Sequence, residues 1–345
     1  MNKKSSTPLK VNRQRRLPVP KSTGPLTGST SNLLIVGSVA FDSIETPFGK
    51  VNKTLGGSGS YFCLAASNFS RPSLVGAVGK DFTNKYRVIL SGKNIDLSDL
   101  EQSAGQTFAW GGKYSFDLNN RTTLFTKLGV FEQFKPKLSA AHKQSPYVFL
   151  GNIHPSLQLE VLAQIKKPKF VGLDTMNLWI KKAPKQLAEV LKKINIFIIN
   201  DSEARQLSGE HNLVKGAKHI MGMMGKNATL IIKQGEYGLL MFRSSPSFQK
   251  RGLGGVEIFH LPGFPLEDVT DPTGAGDSFA GGMFGYLAKA DNISWENLKR
   301  ACVAGSVLAS FSVEKLGTKR LQEITARDIN KRFAEFKKLT HFDSR

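Results

Sequence analysis

Short, wholly apolar runs alternate with stretches of helical period through the middle of the chain. Tyr147 to Leu150, Phe170 to Leu173 and Ile196 to Ile199 each carry four consecutive apolar or aromatic residues. They are followed in turn by Leu157 to Ile165, Gln186 to Leu191 and Ser202 to Leu207, where apolar positions recur three or four apart. Runs without a polar alternation are the mark of strands buried on both faces, and strand-helix alternation at this spacing predicts βαβ units around a parallel sheet. Thr229 to Lys233 and Leu239 to Phe242 add two strands around a Gly235-Glu236-Tyr237-Gly238 turn. Apolar helices are predicted at Phe279 to Leu287 and about Trp295 to Val313, with a charged closing helix near Ala326 to Lys338. No internal repeat is visible.

Two segments break the rhythm, at about 44 to 56 and 107 to 128. Phe108-Ala109-Trp110 and Lys113-Tyr114-Ser115-Phe116 alternate as strands do, and Gly111-Gly112 and Asn119-Asn120 read as breaks, so an antiparallel hairpin is expected. Some of these aromatics must bury a face of the sheet they rest on. Phe108, Trp110 and Tyr114 are candidates for facing a ligand.

The 345 residues, 40% of them hydrophobic, suffice for a large core. No apolar stretch approaches the roughly 20 residues that cross a bilayer, and a hydrophobic signal core is absent. The two cysteines, Cys63 and Cys302, sit in apolar surroundings, which fits reduced thiols and a cytoplasmic protein. A net charge of +21 raises the question of nucleic acid. Its distribution argues against that partner. Seven of the basic side chains fall in residues 1 to 32, which hold no acid and too little apolar surface to fold, so a disordered tail is expected, with organellar import as its alternative reading. Much of the rest is spread as Lys pairs such as Lys166-Lys167 and Lys192-Lys193 on expected helix ends.

Residues 271 to 282 read Asp-Pro-Thr-Gly-Ala-Gly-Asp-Ser-Phe-Ala-Gly-Gly. Small residues Gly274, Ala275 and Gly276 lead into a helix, whose first amides lack intrahelical acceptors and suit an anion. Asp277 at the junction would repel a resting phosphate. It fits either a helix-capping acid or a general base that deprotonates an attacking hydroxyl.

This run resembles the C-terminal signature of the ribokinase-like (PfkB) family of carbohydrate and nucleoside kinases. Leu34 to Asp42, Gly56-Gly57-Ser58-Gly59-Ser60, Val75 to Asp81, Asn200-Asp201-Ser202-Glu203 and Lys233 to Gly238 are similar to further family segments, in order, over about residues 33 to 340. The resemblance implies a three-layer α/β/α fold with a mostly parallel central sheet and a small β lid over a sugar site. It implies transfer of the γ-phosphoryl of ATP, as the Mg²⁺ complex, to a hydroxyl of a small sugar or a nucleoside. In these terms Asp277 is the base, and the amides around Gly274, Ala275 and Gly276 form the anion hole. Asp42, Gly56, Gly57, Tyr61, Phe108, Trp110 and Asp174 border the acceptor, while Asn200, Lys233, Gly235 and Ser306 border the nucleotide. Glu203 and Asn200 hold Mg²⁺ through water, unless they are only a capping pair. Asp271 and Thr273 match positions that bind a monovalent cation such as K⁺ in some relatives. Dimerisation through the lid is frequent in the family. Tyr61 departs from the pattern, standing where ribokinases carry Asn, so the residues leave sugar and nucleoside open, and a sugar-binding regulator on the same scaffold remains a third reading.

Other phosphate and metal signatures are missing. Gly76-Ala77-Val78-Gly79-Lys80-Asp81 lacks the spacing and the Ser/Thr of a Walker A loop, Phe62 interrupts a dinucleotide fingerprint, and the six histidines show no metal-ligand spacing.

Overall fold

The computed structural model describes residues 32–244 and 255–340. Nearly all of the basic segment expected to be disordered therefore lies outside the described residues.

Among the described residues, nine strands form the central sheet. In spatial order they are β13 (Val256–Leu261), β12 (Leu239–Ser244), β11 (Thr229–Lys233), β10 (Ile196–Asn200), β9 (Phe170–Asp174), β8 (Tyr147–Leu150), β1 (Leu33–Val36), β4 (Pro72–Val78) and β5 (Leu100–Gln102). The strands from β11 to β5 run parallel, and only the β12 and β13 edge is antiparallel. Alternate residues sort to two separate cores. Leu33, Ile35, Phe149, Ile196, Ile198 and Ile231 pack with the helices Ser58–Ala66, Ala275–Ala290 and Trp295–Ser312. Their neighbours Leu34, Val36, Val148, Leu150, Phe197, Ile199, Leu230 and Ile232 face the opposite layer, against helices that include Pro184–Leu191 and Leu213–Met223. This is the three-layer α/β/α arrangement. Each fully buried Ile, Leu or Phe contributes about 1.5–3 kcal/mol, so a one-residue slip, which would exchange the two sets, is strongly disfavoured.

A second sheet of four strands stands beside the first, in the order β3 (Gly49–Gly56), β2 (Ala40–Thr46), β6 (Phe108–Tyr114) and β7 (Arg121–Lys127). Two details differ from the sequence reading. Gly111-Gly112 does not end a strand, because β6 runs through both and only shifts register there against β7. The missing side chains make room for rings: a Cβ on Gly111 would meet Phe125 at 2.3 Å, and one on Gly112 would meet Trp110 at 2.1 Å. Asp42 falls before the expected segment at about 44 to 56, yet it belongs to β2 of this second sheet, paired with Trp110 on β6.

The Ala275–Ala290 helix starts four residues earlier than its apolar pattern indicates, so Gly276 and Asp277 form its first turn. Its glycines let it lie directly on the Ser58–Ala66 helix. A Cβ on Gly281 would meet the Phe62 carbonyl at 2.2 Å, and one on Gly285 the Ala66 carbonyl at 2.7 Å. The end of the signature is thus packing chemistry, and it fixes where the start of the helix sits. Cys63 and Cys302 are buried free thiols, both pushed up in pKa by burial.

Candidate active site

Three parallel strands end side by side at the cleft. The β10–β11 register pairs Asn200 with Lys233, and the β9–β10 register places Asp174 beside Ile198, two residues before Asn200. Loops at the C-terminal ends of parallel strands are where doubly wound folds bind ligands. The turn before the Ala275–Ala290 helix closes over this edge. A Cβ on Gly276 would come within 2.6 Å of the Lys233 Nζ, so the ammonium lies directly against the turn.

Gly274 caps the helix in the left-handed conformation, at φ 74° and ψ 4°. Beneath it lies Tyr61, 1% exposed, whose ring a Cβ on Gly274 would strike at 2.3 Å. The first bond back into the helix is the Ser278 N–H to the Gly274 carbonyl at 2.8 Å, leaving the amides of Gly276 and Asp277 without an intrahelical acceptor. Asp271 fixes the other side of the turn. Its carboxylate, fully buried, accepts the Thr273 N–H at 2.9 Å and the Gly317 N–H at 2.8 Å. Burial raises its pKa against those two bonds.

Asp277 is pushed up to about 7, first by burial and then by the nearby negative charges of Asp174 and Asp42, while Lys233 and Arg121 oppose the shift. Asp42 also rises to about 7, again from burial first, with the Gly57 N–H and Arg121 pulling it down and Asp271 pushing it up. Its carboxylate occupies the space a side chain on Gly56 would need, since a Cβ there would lie 1.9 Å from Oδ2. Asp174 is raised by burial, opposed by Lys233 and by the Thr175 N–H that it accepts at 2.8 Å. That shared lysine groups Asp174 with Glu203 and Asp277.

Asn200 and Glu203 form a complete capping box: the Glu203 N–H donates to Asn200 Oδ1 at 2.8 Å, and the Asn200 N–H to Glu203 Oε2 at 3.1 Å. The capping reading is thus realised, and it leaves the second Glu203 oxygen uncommitted by the box. Burial and then the Asp174 charge raise Glu203 to about 7, with Lys233 opposing. Among the described residues no three carboxylate, His or Cys side chains are grouped to hold a metal ion by themselves, and the turn leaves no room for a Cβ beside the Lys233 ammonium.

Several expected residues have other surroundings. Phe108 stacks on Phe131 with ring centroids 5.8 Å apart. Trp110 lies under the Arg121 guanidinium, 4.9 Å from its ring. Gly235, at φ 59°, is exposed in the turn after β11, and Ser306 is half-buried on the Trp295–Ser312 helix. Arg121 is the residue that the sequence reading missed: its charge acts on both Asp42 and Asp277 from the lid. Nothing local in Asn119-Asn120-Arg121-Thr122 marks it, and only the β6–β7 register sets this exposed residue opposite Tyr114.

Comparison with known proteins agrees with this geometry. The pfkB family carbohydrate kinase profile matches residues 27–325. A cytidine kinase of Thermococcus kodakarensis is 26% identical over 263 residues, covering 74% of this chain and 88% of the relative. A mouse ribokinase is 26% identical over 314 residues, covering 83% and 90%. The structure of Arabidopsis thaliana ribokinase complexed with ribose and ATP superposes with a TM-score of 0.68 at 18% identity, over 88% of this chain and 99% of that one. A fold shared over nearly its full length, together with a profile match across most of the sequence, means that this chain belongs to the pfkB carbohydrate kinase family and is a phosphotransferase with a hydroxyl acceptor.

Proposed function

We propose that the protein transfers the γ-phosphoryl group of ATP to a hydroxyl of a small sugar, with Asp277 as the general base. The observation that carries this is the position of Asp277. It stands in the first helical turn between Asp42 on the lid and Lys233 at the sheet edge, with its pKa raised to about 7, where a base of useful strength at neutral pH belongs. Phosphoryl transfer needs alignment and charge neutralisation more than covalent chemistry. Asp42 would hold acceptor hydroxyls, close to backbone that Gly56 leaves bare. The amides of Gly276 and Asp277 would take charge building on the transferred group, and Lys233 would meet the nucleotide phosphates. Glu203 and Asn200 would hold hydrated Mg²⁺, which supplies charge neutralisation at the phosphates when bound, while Asp174 would border the acceptor. A monovalent cation such as K⁺ would lie where Asp271 ties the turn to the Gly317 loop.

A nucleoside acceptor is the second reading, favoured by the similarity to a cytidine kinase. A base needs an apolar slot, and the aromatics that would offer one are already packed: Tyr61 under Gly274, Phe62 against Phe149 at 4.7 Å, Phe108 against Phe131 and Trp110 under Arg121. That packing supports the sugar reading. A panel of sugars and nucleosides, followed by Mg²⁺-dependent ADP release, tests both. Turnover with at least one sugar is expected; turnover confined to nucleosides replaces the first reading by the second, and silence across the panel removes both.

A further inference from the structure

The lid reaches the anion turn through a buried hydrogen bond. Thr273 Oγ1 donates to the Tyr114 hydroxyl at 3.0 Å, joining residues 159 positions apart. Thr273 is held in turn by Asp271, and Asp271 by Gly317, so a chain of bonds runs from β6 through the turn into the main body. Tyr114 also sits opposite Arg121 on the β6–β7 ladder, and the Arg121 charge opposes the rise that burial causes in the Tyr114 pKa. The lid carries Asp42 and the turn carries Asp277, so the bond connects the two halves that must align around one reacting oxygen.

We propose that Tyr114 is a positioning residue for phosphoryl transfer, fastening the lid to the anion turn through Thr273. This rests on the kinase reading. Transfer needs reacting groups fixed to within about half an ångström and water kept out, and this bond adds to the Thr318 hydroxyl's bond to the Leu55 carbonyl in tying the lid to the body.

The test is a double-mutant cycle with Tyr114→Phe, Thr273→Val and the pair, each close in shape to the residue replaced. Each single variant is expected to lower kcat about tenfold, with the double variant no worse than the weaker single, because both delete the same bond. ATP hydrolysis without acceptor should rise as a fraction of transfer, while nucleotide Kd by calorimetry stays within about twofold of wild type. A role confined to packing would move the melting temperature without changing the hydrolysis fraction. Wild-type kcat in Tyr114→Phe, or effects that simply multiply in the double variant, overturn the proposal. An inactive wild-type protein strikes the kinase reading and this role with it; an active wild type with multiplying effects strikes this role alone.

Discussion

Two clusters of acids shielded to different degrees occupy this molecule, and they are treated in opposite ways. Beside the β4 and β5 edge, His142 Nδ1 meets Asp99 Oδ2 at 2.6 Å, the Ser139 N–H donates to the same oxygen at 2.8 Å, and Arg71 lies 3.6 Å from Asp96. Burial would raise Asp96, but bonds from Ser98 and the charges of His142 and Arg71 hold it below the usual carboxylate range. At the cleft, Asp42, Asp174, Glu203 and Asp277 share Lys233 and the lid's Arg121, and burial wins: three of the four stand at about 7. Where burial serves the fold, the chain supplies every partner. Where positive charge falls short, the deficit is what the proposed nucleotide and its cation would fill.

Exchanging charges between these regimes should separate them most sharply at Asp277. Asp277→Asn is expected to lose at least about a hundredfold in kcat with nucleotide binding retained, measured by steady-state kinetics and calorimetry. Wild-type rates would return Asp277 to a helix-capping role. The same variant should melt higher than wild type at pH 8, because it removes a charge from a crowded site. His142→Ala should do the reverse, costing about 2 kcal/mol in denaturant unfolding by taking the imidazole partner from Asp99 and Asp96, with kcat unchanged. A loss under about 1 kcal/mol would show that this cluster is no better tied than the cleft.

The smallest expected effect is a slope with pH. Asp42 and Asp277 have folded pKa values near 7 against 3.8 unfolded, so between about pH 4 and 7 the unfolded chain has released protons that the folded one keeps. Their contribution to stability is therefore complete below pH 4, declines as pH rises through 7 and is then flat. Asp96 opposes this only toward acid, where its lowered pKa makes stability fall as pH drops. The ligand-free protein should melt a few degrees higher at pH 5.5 than at pH 8, and Asp277→Asn should flatten part of that slope. Activity should run the other way, with kcat/KM falling about tenfold per unit below pH 7 as the base is protonated.

The central sheet was legible because parallel strands covered on both faces leave unbroken apolar runs, and Tyr147–Leu150 and Thr229–Lys233 match their expected limits. Gly111-Gly112 misled because local turn chemistry ignores what rests above it. There the Phe125 and Trp110 rings, brought by tertiary packing, keep β6 in the sheet. In the site, Asp277, Asp174 and Lys233 could be placed from the ends of elements. Arg121 could not, since its place opposite Tyr114 depends on a register shift. The Asp99–His142 pair spans 43 positions and has no local spacing to announce it.

Tyr61 sets a limit on any redesign of substrate scope. Trimming that ring to admit a bulkier acceptor would hollow out the floor under Gly274 and let the anion turn sag, so gains in room would be matched by losses in rate. Directed evolution for new acceptors has freer ground on the lid strands away from Asp42, Tyr114 and Arg121, the lid side chains that reach the turn and its acid.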